Sequence, residues 1–207
     1  MAVSDNQKQR RLLMTTSSFS FPSQRDFPPF FTIQKHSETK IAQFRTWSKL
    51  ICDYCQFHLK TKIQIDESIK NNELFCNRTI NRSLSVESAR EIFQYMVEQK
   101  QAQWETDDKN GVLILWHSIE QWAQLIGKYV DDASLKGKIE TVFEYVTEQF
   151  PDAKKVSLQS NKSIMPYASE LASMDRSLFE RVLQYMESQG KASLFRSSNG
   201  EMSVKFI

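Results

Sequence analysis

Cys52, Cys55 and His58 form a C-x-x-C-x-x-H run, and Cys76 follows downstream. Three thiolates and an imidazole would make a sufficient ligand set for a tetrahedral zinc ion. A cysteine beside a histidine could also serve as an activated nucleophile. The surroundings argue against both chemistries. Zinc pairs favour knuckles and turns, whereas these residues lie inside a helical pattern running from about Glu38 to Leu59. Three residues apart, Cys52 and Cys55 extend the apolar side marked by Ile41, Phe44, Ser48 and Ile51. Small buried thiols account for them. With no nameable oxyanion donor and no acid to orient the histidine, the expectation is core packing, with no metal site and no catalytic residue.

Other catalytic signatures are missing from the sequence. The five glycines (Gly111, Gly127, Gly137, Gly190 and Gly200) are scattered and form no phosphate-cradling loop. No G-x-S-x-G elbow occurs. His36, His58 and His117 are far apart and none sits in a known catalytic context. The expectation is therefore a protein that is not an enzyme and needs no cofactor.

The elements that must position any functional residue come from an internal repeat. "WSKLICDY" from Trp47 and "WAQLIGKY" from Trp122 both read W-x-x-L-I-x-x-Y. Those positions fall on one helical face, so Trp47, Leu50, Ile51 and Tyr54 are predicted core, as are Trp122, Leu125, Ile126 and Tyr129. A second pair, starting at Ser85 and Asp175, aligns without a gap at an offset of 90 residues. Ser85 and Asp175 are both good N-cap residues. A hairpin pattern follows each of these helices: "AQWET" and "VLILW", then "ASLFR" and "EMSVKFI". Each turn holds Asn-Gly, at Asn110-Gly111 and Asn199-Gly200, a pair suited to positive φ.

A helix, a poorly defined middle, a second helix and a two-stranded wing, occurring twice, describe tandem winged helices. The predicted class is α+β, mainly α. The predicted division is a disordered basic extension over 1–24, a proline-aromatic docking segment over 25–37, and winged-helix domains over 38–117 and 118–207. A polar insertion near 151–166 is expected to be a solvated loop. "LILWHSIEQW" contains no flexible linker, which predicts a short, rigid junction.

Charge and composition restrict the partners. The formal net charge is +2, with 40% hydrophobic and 25% charged residues. The longest apolar run, "VLILW", is far too short for a membrane span. Three cysteines and no secretory-type start point to a reducing compartment. The basic, Ser/Thr-rich start reads either as an organelle transit peptide or as a disordered extension, and the second is the simpler. Winged helices often read DNA with the second of these helices. Here both candidates, 85–101 and 174–190, carry three acidic residues against two basic ones. That balance opposes phosphate binding, so a winged-helix nucleic-acid or transcription-complex protein is the alternative reading.

Before the first helix stands "DFPPFFTIQ". Pro28 and Pro29 stiffen the segment, and Phe27 is pushed to an extended conformation. Burying Phe27, Phe30 and Phe31 would contribute roughly 5–9 kcal/mol gross, at about 1.5–3 kcal/mol per ring. Pattern alone leaves two destinations open: a pocket on a partner, or the chain's own first domain.

Taken together, "FPPFFTIQ", the W-x-x-L-I-x-x-Y helix, "ELFCNRTINRSLSVES", "WHSIEQWAQLIGKYV" and the closing "VKFI" resemble the small-subunit family of ESCRT-II, the second endosomal sorting complex required for transport. The resemblance runs from about Arg25 to Ile207. It implies two tandem winged helices and two copies per Y-shaped hetero-complex. It implies that Pro28, Pro29, Phe30 and Phe31, with Phe27, dock on the two larger ESCRT-II subunits. The second domain would recruit and activate a helical ESCRT-III subunit, for sorting ubiquitinated cargo into multivesicular endosomes. The implied location is cytoplasmic with recruitment to the endosomal membrane, membrane association being indirect and no specific nucleic acid bound. Two departures stand out: about 24 residues precede the proline motif, where the family starts close to it, and the 151–166 insertion is unusual in length and sequence.

Overall fold

The computed structural model describes residues 18–141, 168–196 and 201–207. The polar insertion, the Asn199-Gly200 turn and most of the N-terminal extension lie outside these. After two short 3₁₀ turns, Ser23–Asp26 and Pro28–Phe31, the chain enters helix α1, Ser37–Phe57. Its W-x-x-L-I-x-x-Y face is buried at all four positions, Trp47, Leu50, Ile51 and Tyr54. Ile41 departs from the expectation: it is 44% exposed, because it borders the open groove between α1 and the second helix.

Next come β1, Lys62–Gln64, a 3₁₀ turn, Glu67–Asn71, and a small ribbon pairing β2, Cys76–Asn77, with β3, Arg82–Ser83. Helix α2, Val86–Glu98, is capped as predicted, the Ser85 hydroxyl accepting from Ser88 N–H at 3.1 Å. Strands β4, Ala102–Trp104, and β5, Gly111–Ile114, form the first wing. Helix α3, Ile119–Asp132, opens with a full capping box between Ser118 and Gln121. Then follow β6, Ile139–Thr141, α4, Ala168–Leu171, and α5, Arg176–Ser188, the last capped by Asp175. Strands β7, Ala192–Arg196, and β8, Met202–Phe206, form the second wing.

Both wings are three-stranded antiparallel sheets of the same order, β1-β5-β4 and β6-β8-β7. The repeat therefore extends to a leading strand in each copy. At three residues apiece, β1 and β6 are too short to show a period. Helices α1, α2, α3 and α5 all end on a left-handed residue: Leu59, Lys100, Ser134 and Gly190. Lys100 and Gly190 occupy the same aligned position. In the first wing the positive φ falls on Lys109, not on Asn110-Gly111. Gly111 leaves the space that the Glu105 carboxylate occupies: a Cβ there would lie 2.2 Å from one of its oxygens, and that side chain would have to move.

Two hydrophobic cores result, and β5 serves both. Val112 and Ile114 point into the first, with Trp47, Phe75, Ile92 and Phe93. Leu113, between them, points into the second, with Trp122, Phe179, Leu183 and Phe206. Alternation along a strand sends successive side chains to opposite faces, so one strand joins two domains.

Candidate functional site

The proline-aromatic segment lies across α1 and is held at its carbonyls. Gln43, buried on α1, donates its amide N–H groups to the carbonyls of Phe30 at 2.9 Å and Thr32 at 3.0 Å. Its Oε1 accepts from the Gln34 backbone N–H at 3.1 Å. One turn on, Trp47 Nε1–H donates to the Phe30 carbonyl at 3.0 Å. The prolines leave few backbone donors to satisfy, and α1 supplies donors to the acceptors that remain.

The rings divide into two groups. Phe30 stacks on the Trp47 indole at 4.3 Å and 8°, and Phe31 meets it edge-on at 5.7 Å and 80°. They are only 7% and 4% exposed and belong to the first core. The indole of Trp47 gives these two rings an apolar, face-matched surface within the chain. Phe27 is 62% exposed, and Pro28 and Pro29 are exposed with it. A groove of about 440 Å³ runs beside them, lined by Phe27, Pro29, Phe30, Ala42, Gln43 and Thr46 among others.

The residues just before the motif are also anchored. The Arg25 guanidinium lies 3.7 Å from the Phe21 ring centroid and donates to the carbonyls of Glu73 and Cys76. Asn77 Nδ2–H donates to the Arg25 carbonyl at 3.0 Å and to an Asp26 carboxylate oxygen at 3.1 Å. Phe19 packs against Phe21, Tyr54 and Phe57 at centroid distances of 5.0, 5.3 and 5.5 Å. Phe19 and Phe21 thus pack on Tyr54 near the end of α1.

Residues 24–159 match the family described as ESCRT-II complex subunit. The chain belongs to the ESCRT-II complex subunit family. It is 32% identical over 208 residues to the Dictyostelium discoideum "Vacuolar protein-sorting-associated protein 25", covering 94% of this chain and 99% of that protein. To the Arabidopsis thaliana "Vacuolar protein sorting-associated protein 25" it is 30% identical over 191 residues, covering 92% and 97%. The fold matches the crystal structure of subunit VPS25 of the endosomal trafficking complex ESCRT-II with a TM-score of 0.71 at 24% identity, covering 90% of this chain and 98% of that one. It also matches a chain in the crystal structure of the complex ESCRT-II (VPS22/VPS25/VPS36), with a TM-score of 0.69 at 24% identity and the same coverage. The tandem winged-helix architecture read from the repeat is thereby established for this ESCRT-II family member.

Cys55 is fully buried in the first core, and Cys52 packs partly buried against it. Cys76 sits on β2, half-buried. His58 caps the end of α1, its ring 4.2 Å from that of Tyr54 and its Nε2 3.9 Å from a Glu73 carboxylate oxygen. Among the described residues, no three His, Cys, Asp or Glu side chains are placed to hold a metal ion, and no helix is long and apolar enough to cross a membrane.

Burial pushes the Cys52 thiol up to about 11 and the Cys55 thiol up to about 12, from an ordinary 9.0. Both thiols should therefore resist alkylation in the native chain at pH 8 and react once it is unfolded, as mass spectrometry would read. The folded state holds these protons above the pH at which the unfolded state releases them. Their stabilising contribution is thus complete below about pH 9 and lost as pH rises toward 12. Thermal melting across that window should show the decline, and Cys55→Ala should lessen it.

Proposed function

We propose that this chain is a non-catalytic subunit of ESCRT-II. It docks on the two larger subunits, the counterparts of VPS22 and VPS36, and its second domain recruits and activates an ESCRT-III subunit. The work is the sorting of ubiquitinated cargo into multivesicular endosomes, by a cytoplasmic complex recruited to the endosomal membrane. Membrane association is indirect, through the complex, and two copies per complex would present two recruiting surfaces at raised local concentration. The docking segment is assigned to 25–37 and the domains to 38–117 and 118–207.

The observation that carries this reading is the exposed Phe27-Pro28-Pro29 edge, on a family member whose relatives are sorting-complex subunits. The edge is stiff before any partner arrives, because Gln43 and Trp47 fix the carbonyls behind it. Docking it therefore orders little new structure. The second domain offers apolar surface of its own in Ile139, Phe195 and Ile207, all exposed. The nucleic-acid reading has no comparable support: α5 is seated on the first domain, where Arg181 donates to the Trp104 carbonyl at 3.1 Å.

Phe27→Ala tests the docking assignment. Co-expressed with both large subunits, the variant should be recovered in the complex at least about tenfold less, as expected for an aromatic anchor contributing about 2 kcal/mol or more. Its melting temperature in isolation should stay unchanged, since the ring is exposed. Undiminished assembly would remove this residue from the interface.

A further inference from the structure

Thr61 stands at the seam between the domains. It immediately precedes β1 and is only 3% exposed. Its backbone carbonyl accepts from the Ile114 N–H of β5 at 2.9 Å, which ties it to the strand shared by both cores. Its hydroxyl serves the other domain, donating to the Ser173 carbonyl at 3.1 Å and accepting from the Asp175 N–H at 2.8 Å. Ser173 and Asp175 lead the chain into α5, and the Asp175 carboxylate is already committed to capping that helix through Ser177 N–H at 2.9 Å. One first-domain hydroxyl thus holds two backbone groups at the entry to a second-domain helix.

A second attachment lies further along the same helix. Arg181 donates to the carbonyls of Trp104 at 3.1 Å and Glu105 at 3.4 Å, at the end of β4. Asp175 and Arg181 are six residues apart, about 9 Å along a helix axis at 1.5 Å per residue. One attachment point would leave α5 free to pivot. Two separated points, with Leu113 inserted in the second core, remove that freedom.

We infer that Thr61, together with Arg181, is a positioning residue that fixes the angle at which the second domain leaves the first. This rests on the reading of the second domain as the recruiting surface, because the angle then sets where a nascent filament starts relative to the docked end. A buried hydroxyl that was merely satisfied would need only one partner within its own domain. This one uses both its proton and a lone pair across the seam.

The test compares Thr61→Val, which keeps the shape and loses both bonds, with Thr61→Ser, which keeps the hydroxyl. Residual dipolar couplings of the full chain report the relative orientation of the domains, which a change in overall stability alone does not move. Wild type and Thr61→Ser should each fit one common alignment tensor. Thr61→Val should need two, and Arg181→Met should show the same split with Thr61 intact, so a misfolded Thr61→Val does not end the test. A single common tensor in the folded variants overturns the inference. In complexes assembled with the large subunits, Thr61→Val should also lower ESCRT-III filament nucleation severalfold while leaving co-purification intact. Split tensors with unchanged nucleation would uphold the positioning role and reject the recruiting role of the second domain.

Discussion

Phe30→Ala combined with Phe31→Ala is expected to unfold the first domain of the isolated chain, before any question of partners arises. Each truncation of a buried phenylalanine costs about 3–5 kcal/mol. The two rings touch, at 5.9 Å between centroids, and share Trp47, so their effects do not simply add. Even the lower end of the pair is comparable to a whole domain stability of about 5–15 kcal/mol. Urea denaturation should show the first-domain transition lost or moved far down, while Phe27→Ala leaves it in place. An unchanged midpoint in the double variant would contradict the stacking on Trp47. The comparison also guards against a misreading: failed assembly of the double variant would report lost folding and not a lost contact.

The second large effect concerns β5. Leu113→Ala should cost about 2–5 kcal/mol, as for any buried leucine, but the loss should appear in the second domain. Amide exchange should accelerate in α3 and α5 while α1 and α2 keep their protection. Ile114→Ala, one residue away, should do the reverse. The two side chains leave one strand in opposite directions, and each core has lost a different filler. Equal exposure of both domains in both variants would mean that the cores are not separately served.

Much of this architecture was legible from spacing. The face of α1, Trp122 and Ile126 on α3, the caps at Ser85 and Asp175, and the paired strands of both wings follow from local rules that the tertiary structure did not override, while Leu125 and Tyr129 are only partly buried. Strands β1 and β6 and the β2–β3 ribbon were not legible, since two or three residues carry no periodicity. The positive φ missed Asn110-Gly111 because the Thr106–Asp108 turn places Lys109 at the strained position, while Gly111 makes room for Glu105.

The proline-aromatic segment was half legible. Two prolines among phenylalanines announce a stiff apolar strip, but its stiffness is the same whether the receiving pocket is the chain's own or another's. The signal that separates the rings is Gln43: a polar amide on the apolar side of α1, four residues before Trp47, positioned to grip a carbonyl-rich segment. The seam residue Thr61 carried no such signal, because its partners are more than 110 residues away in the chain.

The alternation in β5 also limits how such a chain can change over generations. An insertion or deletion of one residue within 112–114 would exchange the faces, sending the filler of each core to its neighbour. Loops elsewhere can therefore lengthen, but the spacing through this strand is locked.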